Sequence, residues 1–593
     1  MKKLLARPQK TGKISFGEFA SCVKGYGWQT LFAPIFVVCE VFLEVFIPRV
    51  MTLLIDEGVS VGNTDAVLKY GGLMLALALL ALVAGALSAR LAAVATMGFA
   101  RNLRKKLFDK IQDFSFGNID KFSTGSLITR LTTDVNFIRN AFMMLIRVGF
   151  RAPVMFVMSI ALALDINTRL AMIFVAVAPV MAIAMFAIGA IAFPLFGKMF
   201  RKFDAMNARL QENLIGIRVV KAFVRENHET EAFRKAAEDV RNTQVKAEKL
   251  IVYGQPFMQF AMYGCMVAVV WFGGNMIIKS VDGMTIGGLN AFISYINQIL
   301  MSLLMVAMIF VNLVISSASL ARCSEVLREL PEITDETASP DLEVADGSVV
   351  FENVSFGYGK DPAKEILSGI NLEIPSGSVL GIIGGTGSAK TTLVQLIPRL
   401  YDVTSGSVRV GGEDVRNYKI RTLRDSVAMV LQQNVLFSGT IRDNLKWGND
   451  HATDEEIEEA AKNAEAHKFV SSFSEGYDTD LGQGGVNVSG GQKQRLCIAR
   501  AMLKKPKIMI LDDSTSAVDT ATDAAIRKAF AETLKGMTVI IIAQRISSVK
   551  HADKIIVMED GKIAASGTHE ELYANSPVYR EVCDSQAGGV KDE

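Results

Sequence analysis

The sequence predicts a multi-domain chain. An N-terminal all-α membrane domain of six helices with long cytoplasmic extensions is followed by an α/β domain built around a phosphate-binding loop. Three observations carry this. A chain of 593 residues is too long for a single hydrophobic core. Half of its residues are hydrophobic, and the apolar excess lies before about residue 320. After residue 347, β-like runs alternate with helical patterns, and one of them leads straight into Gly384-Gly385-Thr386-Gly387-Ser388-Ala389-Lys390-Thr391.

A hydrocarbon core about 30 Å thick needs about 20 apolar residues per helix. Windows at 30–54, 70–97, 141–164, 170–196, 253–279 and 286–318 meet that length. Lysine and arginine crowd residues 1–24, 101–110, 130–151, 199–250 and 321–328, whereas the opposite loops are short and poor in positive charge. The positive-inside rule then puts both termini in the cytoplasm of a multi-pass protein of the cell membrane. The basic start, Met1–Lys13, lacks the apolar core and cleavage site of a signal peptide. Residues 14–29 suit an amphipathic helix lying in the interface.

Residues 98–140 and 197–252 are charged and helix-favouring, so spans two to three and four to five continue as helices beyond the bilayer. Each stretch contains a break, at 116–125 and at 212–218. A Pro-, Asp- and Ser-containing stretch then separates the halves. The expected boundaries are 1–29 for the N-terminal segment, 30–330 for the membrane domain, 331–347 for the linker and 348–593 for the α/β domain.

The charge is almost balanced, 63 basic against 61 acidic residues, which gives no support for a nucleic-acid partner. The six cysteines are scattered without a CxxC pair, so neither a disulfide framework nor a zinc site is suggested.

The loop Gly384–Thr391 follows an apolar strand and precedes an apolar helix, the setting in which such a loop binds nucleotide phosphates. Its backbone N–H groups form an anion site. Lys390 would reach the β- and γ-phosphates, and the Thr391 hydroxyl would hold Mg²⁺. Ala389 stands where glycine is usual, and its methyl is expected to weaken or tilt nucleotide binding without forbidding it.

A phosphate loop alone says only nucleoside triphosphate. Downstream stand Val488-Ser489-Gly490-Gly491-Gln492 and Ile508-Met509-Ile510-Leu511-Asp512-Asp513. With these, the chain resembles a half-transporter of the ATP-binding cassette (ABC) exporter family, over the nucleotide domain and the six spans alike. The resemblance implies ATP and Mg²⁺ as ligands, with Gly384, Gly385, Thr386, Gly387, Ser388, Ala389, Lys390, Thr391 and Thr392 around the phosphates. It implies that Tyr358 stacks on adenine, although an ordinary strand-end aromatic reads the same way. Thr391, Gln432 and Asp512 would serve Mg²⁺, and Asp519 would be the D-loop aspartate. Ser489, Gly490, Gly491 and Gln492 would contact ATP bound by the opposite subunit, because the family's sites form between two head-to-tail nucleotide domains. The breaks at 116–125 and 212–218 match its coupling helices in position.

Two positions depart from the family's catalytic pattern. Asp513 replaces the glutamate after the Walker B aspartate, withdrawing the carboxylate by about 1.5 Å, and a misplacement of about 1 Å can cost a hundredfold in rate. Gln544 replaces the switch histidine; it donates a hydrogen bond but carries neither charge nor proton. Gln483 also replaces a frequent glutamate before the signature, while the signature is intact. The pattern points to the degenerate-site half of a heterodimeric exporter: its own site binds ATP and hydrolyses it poorly, and its signature completes a competent site on the partner. That partner is expected to carry the glutamate, the histidine and a flawed signature. The rivals are a homodimer with a slow self-sufficient ATPase and a regulatory membrane protein using ATP only as a ligand.

In the first span, Glu40 and Glu44 lie one helical turn apart. They either attract cationic substrate or pair with an arginine such as Arg147 or Arg151. Asn297 and Gln298 in the sixth span are further cavity candidates. Family resemblance makes the cargo hydrophobic or amphipathic, drug-like or lipid-like, and the surroundings a lipid bilayer.

Overall fold

The computed structural model describes residues 16–359, 365–513, 522, 524–526, 529 and 536–588. The chain divides into two compact units. The first comprises residues up to Gln112 together with Thr124–Glu329, and the second Asp113–Ser123 together with Leu330 onward.

The first unit is helical. Among the described residues, five of its helices are long and apolar enough to cross a membrane: Gly27–Val59, Thr64–Gln112, Thr124–Ile166, Glu226–Ile278 and Ile286–Arg328. In a sixth long helix, Thr168–Ile215, the described apolar portion is Thr168–Met181. Thr64–Gln112 has 49 residues, which at a rise of about 1.5 Å per residue spans about 70 Å, more than twice the hydrocarbon thickness. The charged stretches after the second and fourth windows begin as continuations of the same helices, to Gln112 and to Ile215, and end as the starts of the next long helices. Ahead of the first span, a short helix Phe16–Ala20 and a turn Ser21–Val23 are set off by a break at Lys24–Tyr26. Asn102 fastens that break by donating from Nδ2 to the carbonyls of Cys22 and Lys24, each at 2.9 Å. Gly98 makes room for the Tyr26 ring, which a Cβ there would strike.

The breaks take definite form. Gly216 ends Thr168–Ile215, a short helix Ile217–Ala222 follows, and the chain turns at Phe223–Arg225 before Glu226–Ile278 begins. This turn extends further toward the C-terminus than the 212–218 expected, because Gly216 only stops the first helix and Val224, at φ +51°, makes the reversal. At the other break, Phe116–Lys121 is a short helix with Ser115 as N-cap. It packs with the second unit. Asn118 donates from Nδ2 to the Leu330 carbonyl at 2.9 Å and accepts the Glu332 N–H at 3.1 Å. Residues 113–123, expected within the membrane domain, therefore fold against the other one.

The second unit is α/β. Strands β1 (Val349–Phe356), β2 (Leu367–Ile374), β3 (Val379–Gly384), β4 (Ser405–Val410), β5 (Glu413–Asp414), β6 (Val427–Val430), β7 (Ile508–Asp512), β8 (Thr538–Ile542), β9 (Lys554–Glu559) and β10 (Lys562–Gly567) form two sheets. One is antiparallel with order β2-β1-β4-β5; the other has order β10-β9-β3-β8-β7-β6, with all neighbours parallel except β10 on β9. The mainly parallel sheet is covered on both faces, as continuous apolar runs require. Ile508, Ile510, Ile540 and Ile542 enter the core shared with the antiparallel sheet, while Met509, Leu511, Val539 and Ile541 enter the core beneath the helices. The linker segment is tied to this unit by Ile333 and Val344, both buried, and by the Ser339 N–H, which donates to the Asn417 carbonyl at 2.8 Å.

Candidate nucleotide site

Four adjacent parallel strands, β3, β8, β7 and β6, deliver their carboxyl ends to one edge of the sheet, the customary place for a ligand in an α/β fold. The phosphate loop follows β3, Asp513 follows β7, Gln544 lies two residues past β8 and Gln432 two past β6. The sheet order thus assembles groups that are far apart in sequence.

The loop is tightly constrained. A Cβ at Gly384 would lie 2.3 Å from the Met558 carbonyl oxygen, and Gly387 has φ +85°. Ala389 also adopts a left-handed conformation, φ +68°, and its methyl packs against the apolar core. Lys390 folds over the loop, its Nζ donating to the carbonyls of Gly384 at 2.8 Å and Gly385 at 2.7 Å and to Ser388 Oγ at 3.2 Å. Burial pushes its ammonium below the ordinary lysine value, and Asp512 and Asp513 pull the other way. An anionic ligand at this loop would be a counter-charge for the ammonium.

Asp512 is 2 % exposed and accepts the Thr391 hydroxyl on Oδ1 at 3.0 Å. Its Oδ2 is buried without a hydrogen-bond partner among the described residues. Burial raises its carboxyl above the usual range, with Asp513 adding to the rise while Thr391 and Lys390 oppose it. A buried, orphaned carboxylate oxygen next to a hydroxyl fits a hard divalent cation. Among the described residues, no group of three or more His, Cys, Asp or Glu could hold a metal ion. Such an ion would therefore take its remaining ligands from phosphate or water. Gln432 is exposed beyond β6.

Asp513 is held at φ +46°, its N–H donating to the Ile542 carbonyl at 3.0 Å. Its Oδ2 accepts Gln544 Nε2 at 2.8 Å. Burial raises this carboxyl too, against the opposing pull of the Gln544 amide, Lys390 and Arg545. Tyr358, 42 % exposed, stands with its hydroxyl 3.2 Å from Thr392 Oγ1 and 3.3 Å from Gln395 Oε1. Edge-on to Tyr358 at 5.1 Å is Tyr401, whose hydroxyl donates to Asp120 Oδ2 at 2.6 Å. Tyr401 escaped notice in the sequence because nothing there brings it to Tyr358.

The signature opens a helix, Gly490–Leu503. Ser489 is its N-cap: Ser489 Oγ accepts the Gln492 N–H at 3.3 Å, and Gln492 Oε1 accepts the Ser489 N–H at 2.8 Å. Ser489 and Gly490 are exposed, so the positive end of a 14-residue helix faces outward. Asp519 lies outside the described residues.

In the membrane unit, Arg151 takes both carboxylates: Nη1 donates to Glu40 at 2.6 Å and Nη2 to Glu44 at 2.5 Å. Gln298 Oε1 accepts the Ser159 hydroxyl at 2.9 Å, and Asn297 Nδ2 donates to the Ile293 carbonyl of its own helix. A cleft of about 420 Å³, lined by Arg169, Ile173, Phe272, Met276 and Lys279 among others, includes none of these four candidates.

A helical membrane unit joined to a phosphate-loop α/β unit with a capped signature helix defines a membrane transport ATPase. Residues 30–303 match the ABC transporter transmembrane region and residues 367–516 match the ABC transporter domain. An uncharacterized ABC transporter ATP-binding protein of Bacillus subtilis (strain 168), YfiB, is 36% identical over 96% of this chain and 98% of its own length. An ATP-dependent lipid A-core flippase of Desulfotalea psychrophila (strain LSv54 / DSM 12343) is 36% identical over 80% of this chain and 82% of its own. The solved structure of a bacterial Atm1-family ABC exporter with ATP bound superposes with a TM-score of 0.78 at 25% identity, covering 97% of this chain and 99% of that one. The chain belongs to the ABC transporter family, with the membrane and nucleotide domains of an exporter half fused in one polypeptide.

Proposed function

We propose that this chain is the degenerate-site half of a heterodimeric ABC exporter that moves hydrophobic or amphipathic molecules out of the cytoplasm, its termini on the cytoplasmic side. The observation that carries the reading is the Gln544–Asp513 hydrogen bond: the position that should activate water holds a short carboxylate already engaged by a neutral amide. Such a carboxylate is a poor general base, because it is both withdrawn and occupied. Meanwhile the signature helix keeps its full capping box and an exposed N-terminus, as expected of a surface that serves ATP held by another subunit.

In this reading Lys390 and the loop amides bind the phosphates, Tyr358 packs on the base, and Thr391, Asp512 and Gln432 hold Mg²⁺. When bound, the ion neutralises charge on the β- and γ-phosphates. The second amide proton of Gln544 has no partner among the described residues and can meet a γ-phosphate, so ATP binding is retained where hydrolysis is slow. ATP's differential affinity for the closed pair of nucleotide domains is the driving term, and hydrolysis in the partner's site resets it. The kinship with a lipid A-core flippase favours a lipid-like cargo.

The deciding experiment is to purify the chain alone and with co-expressed neighbours in lipid nanodiscs. The isolated chain should bind Mg·ATP and hydrolyse it slowly. A co-purifying ABC half with a glutamate, a switch histidine and a flawed signature should raise turnover by at least about tenfold. Brisk hydrolysis by the chain alone would favour a self-sufficient homodimer and sink this reading.

A further inference from the structure

The last described helix, Pro577–Gly588, reaches the switch segment. Its residues Tyr579, Val582, Cys583 and Gln586 recur at three- and four-residue spacing, so they share one face. The first three belong to or pack on the helix-side core, and Tyr579 is fully buried with its hydroxyl 2.8 Å from His569 Nδ1. The fourth is an exposed glutamine whose planar amide makes two backbone bonds. Gln586 Nε2 donates to the Gln544 carbonyl at 2.9 Å, and Gln586 Oε1 accepts the Ile546 N–H at 2.9 Å. One side chain thus pairs with the backbone on both sides of Arg545, as a neighbouring strand would.

The location gives this pairing a consequence. β8 ends at Ile542, and the Ala543 N–H still donates to the Ile382 carbonyl at 3.2 Å. The chain then leaves the sheet until the turn Ile546–Ser548. Gln544 sits in that gap, where a ladder no longer fixes its backbone, yet its side chain must hold 2.8 Å to Asp513. An apolar face already docks the helix, so two amide bonds at its end add little to the helix and much to the loop.

We infer that Gln586 is a positioning residue of the nucleotide site: it clamps Gln544–Ile546 and thereby aims the Gln544 amide between Asp513 and the γ-phosphate. The γ-phosphate part rests on the role proposed for Gln544; the clamp does not.

The test is hydrogen exchange on the full chain in nanodiscs, comparing wild type with Gln586→Ala. Without nucleotide, exchange in peptide 541–549 should rise about tenfold in the variant, while peptide 577–583 stays within about twofold because the helix remains docked. Gln586→Glu keeps an acceptor for the Ile546 N–H and should restore protection there. With Mg·ATP against Mg·ADP, wild type should protect 541–549 more with ATP, and Gln586→Ala should lose that difference while its Kd for Mg·ADP is unchanged. Exchange of 541–549 within about twofold of wild type would overturn the clamp, and so would loosening that spreads to 577–583. A wild-type chain that shows the clamp but does not distinguish ATP from ADP would overturn the γ-phosphate assignment alone.

Discussion

Gln544 donates from Nε2 to Asp513 Oδ2 at 2.8 Å, across the carboxyl ends of β8 and β7, which are adjacent and parallel. The pairing gives each residue a partner of fitting chemistry: an acceptor-only carboxylate meets an amide donor. A glutamate and a histidine at the same places would have a longer reach and an ionisable ring. The prediction is that Asp513→Glu with Gln544→His raises ATP turnover of the isolated chain at least tenfold. Either change alone should give much less, because residues acting as a unit are not additive. Steady-state ATPase measurements on the three variants check this, and equal rates throughout would show that the pair does not limit hydrolysis.

Ala389 carries the expectation that its methyl weakens or tilts nucleotide binding without forbidding it. The methyl packs on the core, and the residue bears a left-handed φ of +68°. Alanine in that region costs about 1–2 kcal/mol, whereas glycine gives back about 0.5–1 kcal/mol through the unfolded chain and loses the packing contact. Ala389→Gly should therefore shift stability by less than about 1 kcal/mol and leave the Kd for Mg·ATP within about threefold. Thermal unfolding and nucleotide titration measure the two; a tenfold gain in affinity would mean the methyl does oppose the phosphates.

Where residues declare their own chemistry, the sequence was a sufficient guide. Ile508–Asp512 reads as a strand because an apolar run ends in aspartate, and Gly384–Thr391 as a phosphate loop because it joins strand to helix. Glu40 and Glu44 were legible as a same-face pair, but the choice between Arg147 and Arg151 depends on the rotation of a neighbouring helix, which periodicity does not fix. The docking of residues 113–123 on the second unit hangs on Asn118 meeting Leu330 and Glu332, more than two hundred positions away. Gln586 was invisible for a related reason: a surface glutamine acquires meaning only from the loop its helix lands on.

Tyr401 links Tyr358 to Asp120, and burial together with Asp120 pushes its hydroxyl well above the ordinary tyrosine value. It therefore stays a donor at every working pH. Hydrogen bonds to charged groups are worth about 1.5–3 kcal/mol, less where water competes. A double-mutant cycle with Tyr401→Phe and Asp120→Ala should return a coupling of about 1–2 kcal/mol by unfolding. Tyr401→Phe keeps the ring contact and should leave Mg·ADP affinity within about twofold. Additive effects would show that the hydroxyl and the carboxylate do not act together.

Arg151 carries one positive charge between two carboxylates, with side-chain exposures of 22% for Arg151, 17% for Glu40 and 37% for Glu44. Removing one member of a buried ion pair costs about 3–5 kcal/mol, because the charge left behind is no longer compensated. Here Glu44 is over a third open, so Arg151→Met should cost less, about 2–3 kcal/mol. Glu40→Gln leaves Arg151 paired with Glu44 and should cost under about 1 kcal/mol. The diagnostic variant is the triple change Arg151→Met, Glu40→Gln, Glu44→Gln, which removes all charge and should recover most of the loss. Thermal unfolding in a single detergent orders the four proteins. If the triple variant is as unstable as Arg151→Met, packing of the arginine stem rather than stranded carboxylate charge holds these helices together.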